Sequence, residues 1–194
     1  MSEFWLYFSL GLEHILDPRG YDHIMFVIAL CALYVIQDWK KLLLLVTAFT
    51  IGHSITLALA TLRLIHVDSD LIEFLIPVTI FLTAFSNIVI GTDKPGKGKM
   101  QTNYILALFF GLIHGMGFSN YLRALLGKDE SIITQLFAFN IGLEAGQIII
   151  VAIFLIVTFI FIDIVRIKRR DWRLVISSVV MGISFTMMMD AKYW

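Results

Sequence analysis

Apolar stretches of about 18 residues or more recur along the whole chain, and each is long enough to cross a hydrocarbon core roughly 30 Å thick. Lipid offers the backbone no water, so a spanning segment must satisfy its own amide and carbonyl groups, and a long one does so as a helix. A transmembrane barrel would need short strands of alternating character, and the sequence reads as none. Of the 194 residues, 59% are hydrophobic and only 15% charged, where a soluble domain carries about a quarter charged residues. The expectation is an all-α fold, a polytopic transmembrane helix bundle of six to seven helices. Residues 1–194 form a single integral membrane domain on this reading.

Periodicity and turn chemistry place helical segments at 3–16, 20–37, 41–63, 71–91, 102–126, 131–165 and 172–190. The first is short for a crossing and reads as a half-span, a tilted helix or an interfacial one. The sixth is longer than a bilayer needs and should protrude or bend. Asp17-Pro18-Arg19-Gly20 has the order of a type I turn, and residues 93–99 form a polar connector. Gly11-Leu12-Glu13 returns as Gly142-Leu143-Glu144, an echo too short to establish a repeat.

Net charge is zero, which removes the electrostatic footprint of a nucleic-acid binder. Lys40 and Lys41 share one loop, Lys94, Lys97 and Lys99 another, and Arg166, Lys168, Arg169, Arg170 and Arg173 a third. The intervening loops carry Arg19, Arg63, Arg123 and Lys128, diluted by Asp68, Asp70, Asp129 and Glu130. Positive loops stay cytoplasmic. The alternation therefore puts the 17–20 turn, the 64–70 loop and the C-terminus outside, and the N-terminus inside if the first segment spans. The start lacks the basic residues of a signal peptide and reads as mature sequence. Cys31, the single cysteine, reads as a packed thiol.

Ionisable groups inside a span cost roughly 2.5–3.5 kcal/mol at the centre, so they have a partner and a task. His14, Asp22 and His23 flank the turn between the first two segments, and two imidazoles with a carboxylate suit a divalent transition metal. Alternatively, Asp22 caps the helix that follows and His23 is interfacial. His53 lies about 12 residues into its span, roughly 18 Å deep at 1.5 Å per residue, and His114 reaches a similar depth on another helix. Asn140, Glu144 and Gln147 share one helical face. There a buried Glu144 calls for a cation, a metal or a proton, or is held protonated by its amide neighbours. Glycines adjoin the deep polar groups: Gly52, Gly111, Gly115, Gly142 and Gly146. Small residues four apart let membrane helices approach closely. The candidate metal ligands are His14, Asp22, His23, His53, His114 and Glu144, with Asn140, Gln147 and Ser54 in support. No catalytic residue is assigned. His66, beside Asp68 and Asp70, reads as a solvated patch, and Met187, Met188 and Met189 as lipid or core contacts.

Taken in order, His14 with Gly20-Tyr21-Asp22-His23, then Thr50-Ile51-Gly52-His53-Ser54, His114-Gly115-Met116-Gly117-Phe118-Ser119 and Phe139-Asn140-Ile141-Gly142-Leu143-Glu144-Ala145-Gly146-Gln147 resemble the HupE/UreJ family. These are small bacterial membrane proteins regarded as nickel permeases, in some cases for cobalt. The family's usual motif is a histidine, five residues, then Asp-His. Here seven residues separate His14 from Asp22, and the added pair falls in the Asp-Pro-Arg-Gly turn. The resemblance implies a permease of the bacterial inner membrane. Its substrate would be a divalent transition metal ion, nickel or cobalt, with zinc as the alternative. The different class of function open to these residues is an intramembrane zinc-dependent hydrolase, with three histidines and a carboxylate holding the metal and Glu144 as base. A third is a metal-sensing or assembly subunit. The expected partners are the metal ion and the lipid bilayer, with no nucleic acid, and the small size leaves room for a homo-oligomer.

Overall fold

The computed structural model describes residues 2–65, 68–89, 97–119, 122, 132–191 and 193, with the backbone alone at 97–100 and 102. His66, Arg123, Lys128 and most of the 93–99 connector lie outside the described residues. Among the described residues there are seven helices and no strand. They are α1 (Glu3–Leu16), α2 (Asp22–Cys31), α3 (Trp39–Thr61), α4 (Ser69–Val89), α5 (Lys97–Gly117), α6 (Ile132–Phe159) and α7 (Arg169–Asp190). Ile36–Thr61, Ser69–Val89, Ile132–Ile164 and Arg169–Asp190 are long and apolar enough to cross a membrane. The chain is a membrane helix bundle, as its hydropathy requires.

The helix ends follow local chemistry. α1 stops at Asp17, whose extended backbone is what a following proline imposes. Asp17 Oδ1 then accepts from the Arg19 amide at 2.9 Å and tightens the turn. One 3-10 turn, Ile36–Asp38, leads into α3, and Lys41 Nζ donates to Asp38 Oδ1 at 2.6 Å there. α6 is continued by a π-helical turn over Ile160–Ile164, where the Val165 amide reaches back to Ile160 O at 2.9 Å. Arg63 and Arg166, at φ 60° and 65°, turn the chain after α3 and α6.

Two helix pairs form the centre, and each runs in parallel. α1 lies along α6. Gln135 Nε2 donates to Glu3 Oε1 at 2.5 Å, Gly11 packs on the backbone of Phe139 and Leu143, and Gly146 packs on Ile15. α3 lies along α5, with Gly52 on the backbone of Leu108 and Leu112 and Gly111 on that of Phe49 and His53. A Cβ at Gly11, Gly52, Gly111 or Gly142 would overlap a carbonyl oxygen of the facing helix. Glycine at these positions is what allows the backbones to touch. α4 and α7 pack antiparallel, with Phe74 on Tyr193 and Phe81 near Phe185.

The first segment and the second together make one interrupted crossing. Ile15 meets Gly146 near the middle of α6. Asp22 shares a crevice with Asp190 at the end of α7, whereas Ala32 and Val35 share one with Ile162 and Trp172 at the other end. α2 therefore continues in the sense of α1 instead of returning beside it. The 17–21 break lies between the level of Ile15, at the middle of α6, and that of Glu73 and Asp190, near the start of α4 and the end of α7. α1 runs only from Gln135 to Gly146 of α6, which matches the half-span among the readings of the first segment. The Glu3 end of α1 lies on the face that holds the start of α4 and the end of α7. We call this the Ser69 face, and the opposite one, with the starts of α3 and α7, the Lys40 face.

Candidate metal centre

Four elements each bring a histidine into one neighbourhood inside the bundle, and three of these histidines share a point. α1 brings His14 from its last turn, α2 brings His23 from its first, α3 brings His53 and α5 brings His114. One ligand nitrogen from each of His14, His23 and His53 lies within 4.8 Å of the other two. The His23 ring stands 4.6 Å from His14, 6.1 Å from His53 and 5.2 Å from His114, centroid to centroid. The break after Leu16 makes this possible, because it folds His14 and His23 onto each other across the turn.

The hydrogen bonds determine which nitrogens are available. The His114 Nδ1 lies 2.8 Å from the Phe110 carbonyl. A carbonyl only accepts, so Nδ1 carries the proton and Nε2 is left as a lone pair. The His23 Nδ1 lies 3.0 Å from Asp22 Oδ1, and the carboxylate also accepts from the His23 amide at 2.9 Å. Again Nδ1 is the donor and Nε2 is bare. Asp22 thus holds the ring of its neighbour, an arrangement that in metal sites fixes the tautomer and raises ligand basicity. His53 is fully buried, and both its nitrogens lack a hydrogen-bond partner. His14 Nε2, His23 Nε2 and His114 Nε2 are likewise buried without one. Each orphaned polar atom costs about 1–3 kcal/mol, so several in one place need a reason.

The surroundings are aromatic. Phe118 stands over His14 at 4.0 Å and stacks on Phe139 at 5.0 Å, and Phe139 stacks on His53 at 6.5 Å. Phe49 and Phe26 meet His114 at 5.2 and 5.3 Å. Reading for ionisable residues misses these walls, although Phe49 and Phe139 sit in the motifs that also hold His53 and Glu144. Two crevices flank the break. One, of about 630 Å³, is lined by Glu13, His14, Asp17, Pro18 and Phe118 among others, and it reaches the histidine directly. The other, about 390 Å³, holds Asp22, Glu73 and Asp190 with Arg19. Irregular backbone at membrane depth is tolerated where it lines a water-filled cavity, and the break lines both.

The remaining expected site residues gather elsewhere. Thr47 Oγ1 donates to Glu144 Oε1 at 2.6 Å and Thr50 Oγ1 to Gln147 Oε1 at 2.9 Å. These bonds tie α3 to α6. Asn140 Nδ2 donates to Leu136 O within its own helix, and Ser54 Oγ to Thr50 O within its own. The threonine partners carry no ionisable group, and so a search for ligands passes over them. Met187 lines the crevice beside Asp22, while Met189 is exposed.

The chain is thus a polytopic membrane helix bundle with a nest of imidazoles, a candidate metal site, beside an interrupted crossing. The chain belongs to the HupE/UreJ family, whose model, described as HupE / UreJ protein, matches residues 1–192. That family is regarded as one of metal transporters, for nickel or cobalt. No curated protein and no solved structure matches the chain.

Proposed function

We propose that this protein is a permease for a divalent transition metal ion, nickel first and cobalt second, of the bacterial inner membrane. The observation that carries the reading is the set of unpartnered, buried imidazole nitrogens of His14, His23 and His53 within 4.8 Å of one another. Neutral imidazole is the donor for nickel, cobalt and zinc. His23 Nε2, with its tautomer held by Asp22, is the best prepared ligand, and the His114 ring lies 5.2 Å from that of His23. The ion is the cargo here, and exchangeable nitrogen ligands let it bind and leave. The acidic crevices at Glu13, Asp17, Asp22, Glu73 and Asp190 raise the local cation concentration beside the site. The positive-inside rule makes the Lys40 face cytoplasmic. Both termini, and the mouth that opens on His14, are then outside.

The hydrolase reading shares the three-histidine set, which could hold zinc with one position open. It needs a free general base within reach of that position. Glu144 is engaged with Thr47 instead, which favours transport. The test is nickel accumulation in cells making the native chain, His23→Ala or His53→Ala, together with metal analysis of the purified proteins. Accumulation that needs both histidines, with little metal retained after dialysis, is the expected result. Accumulation that the substitutions leave unchanged would sink the permease. One tightly held zinc per chain would move the reading to the hydrolase.

A further inference from the structure

The two central helix pairs are copies of one unit turned over. Gly11-Leu12-Glu13-His14 of α1 returns as Gly111-Leu112-Ile113-His114 of α5, and Phe49-Thr50-Ile51-Gly52 of α3 returns as Phe139-Asn140-Ile141-Gly142 of α6. The packing keeps the same register. A Cβ on Gly11 would overlap Phe139 O and stand 3.0 Å from Leu143 N, and one on Gly111 would overlap Phe49 O and stand 3.0 Å from His53 N. Gly142 meets Phe8 O and Leu12 N as Gly52 meets Leu108 O and Leu112 N. α1 and α6 run toward the Lys40 face, α3 and α5 away from it, so the second copy is inverted. α4 and α7, which follow α3 and α6, are antiparallel as well. Short motifs alone would be chance, but four reciprocal backbone contacts in one register are a duplication. The three-residue echo between residues 11–13 and 142–144 is not its register.

In this register His14 and His114 are one position in two copies, approached from opposite faces. The outer crevice is lined by Leu10, Leu12, Glu13, His14 and Leu16 of α1. Along α5 runs another, of about 290 Å³, between α2, α4 and α5. Thr83, Ser86, Asn87, Asn103 and Phe110 are among its lining residues, and Phe110 is the counterpart of Leu10. Its outlying end is toward the Lys40 face, where Asn103 Nδ2 donates to Tyr34 Oη at 3.1 Å. Its inner end stops short of His114, which is only 1% exposed. Phe26 fills the gap, 5.3 Å from His114 and 5.6 Å from Phe110.

We propose that this α2–α4–α5 crevice is the second mouth of the path, the exit of a hydrated divalent cation toward the Lys40 face, with Phe26 and Phe110 as its closed gate. The inference rests on the permease reading. Thr83, Asn87 and Asn103 donate to Thr79 O, Ala29 O and Tyr34 Oη, while leucines and phenylalanines make up most of the rest of the wall. It is the place of the crevice in the inverted pair, along α5 where the outer crevice lies along α1, that makes it the counterpart mouth. Inverted repeats place a substrate site at their interface and open it to one face at a time. Here the mouth beside His14 is open while the mouth beside His114 is shut.

The test uses the full chain in sealed membrane vesicles of either orientation, with Cys31→Ala as background and Ser86→Cys as the probe. A charged, membrane-impermeant thiol reagent should label the probe from the Lys40 face and not from the other. Adding Phe110→Ala should open Ile113→Cys to the same reagent from the same face. If that variant does not fold, Phe110→Leu, which installs the residue of the counterpart position, replaces it. Labelling of Ser86→Cys by a lipid-soluble maleimide alone, or equally from both faces, overturns the proposal. Nickel binding to the purified Cys31→Ala protein separates the two readings. Binding with lipid-only labelling removes the mouth and leaves the metal centre. Absence of binding removes the metal reading, while the labelling still decides the mouth.

Discussion

Two buried polar groups lie close together in this bundle and are organised in opposite ways. Between α3 and α6, each threonine hydroxyl meets an acceptor, Thr47 on Glu144 and Thr50 on Gln147, and the one buried atom without a partner among these four side chains is Gln147 Nε2. Around His53, a turn or two along the same helix, imidazole nitrogens converge and meet no protein partner. Paired groups hold helices together, because removing one strands the other. Convergent unpaired donors weaken the fold unless something binds them. The difference separates a tether from a site, although both consist of polar residues in membrane helices.

The largest effect that would break or confirm this contrast is at His53. His53→Leu copies the residue that the duplication places at Leu143 and removes two orphaned nitrogens. Nickel should then lose its ability to raise the melting temperature of the purified protein, where for the native chain it stabilises by about 2.7 kcal/mol at 100 times Kd. The metal-free variant should melt no lower than the native protein. A variant that melts far lower yet still responds to nickel would reverse the assignment of site and tether. Next comes Asp22→Asn, which loosens the hold on the His23 ring and should weaken nickel binding roughly 10–100-fold by calorimetry. Unchanged affinity would mean that His23 is oriented by something else.

On the tether side, Gln147→Leu strands the Thr50 hydroxyl and should cost about 1–3 kcal/mol in stability, with nickel affinity kept. Loss of nickel binding at full stability would place Gln147 in the site. The smallest effect belongs to Glu144→Gln, which retains an acceptor oxygen for Thr47. Nickel affinity and melting temperature should both stay close to native, and a clear drop in affinity would make Glu144 a ligand.

Much of the architecture was legible beforehand because a bilayer imposes a length and an all-helical backbone on any crossing. Every expected segment has its helix, but the second, expected to reach residue 37, ends at Cys31, and the fifth, expected over 102–126, runs over Lys97–Gly117, with residues 120, 121 and 123–126 outside the described ones. The close approach at Gly52, Gly111 and Gly142 was legible for the same reason, since a small residue in lipid has few other uses. The sense of α2 was not. Reading Asp17-Pro18-Arg19-Gly20 as an outer turn assumes that a helix is followed by its return. Here the turn interrupts one crossing, and hydropathy cannot distinguish the two. The register of the repeat was ambiguous in letters, because Gly11-Leu12 begins a match both to Gly142-Leu143-Glu144 and to Gly111-Leu112-Ile113-His114, and packing pairs Gly11 with Gly111.

The sequence by itself determined that this chain is a membrane helix bundle with histidines inside it; the carboxylates expected beside them, Asp22 and Glu144, are only half-buried. Transfer of side chains and backbone into lipid is a local cost, summed residue by residue. Only the tertiary structure decided which of those polar groups meet. His14, His23, His53 and His114 come from four helices, and whether their nitrogens converge depends on the direction of each helix and its rotation about its axis. Those are set by contacts such as Gly111 on Phe49, between residues far apart in the chain. The same contacts set Glu144 against Thr47 and left the imidazoles to one another.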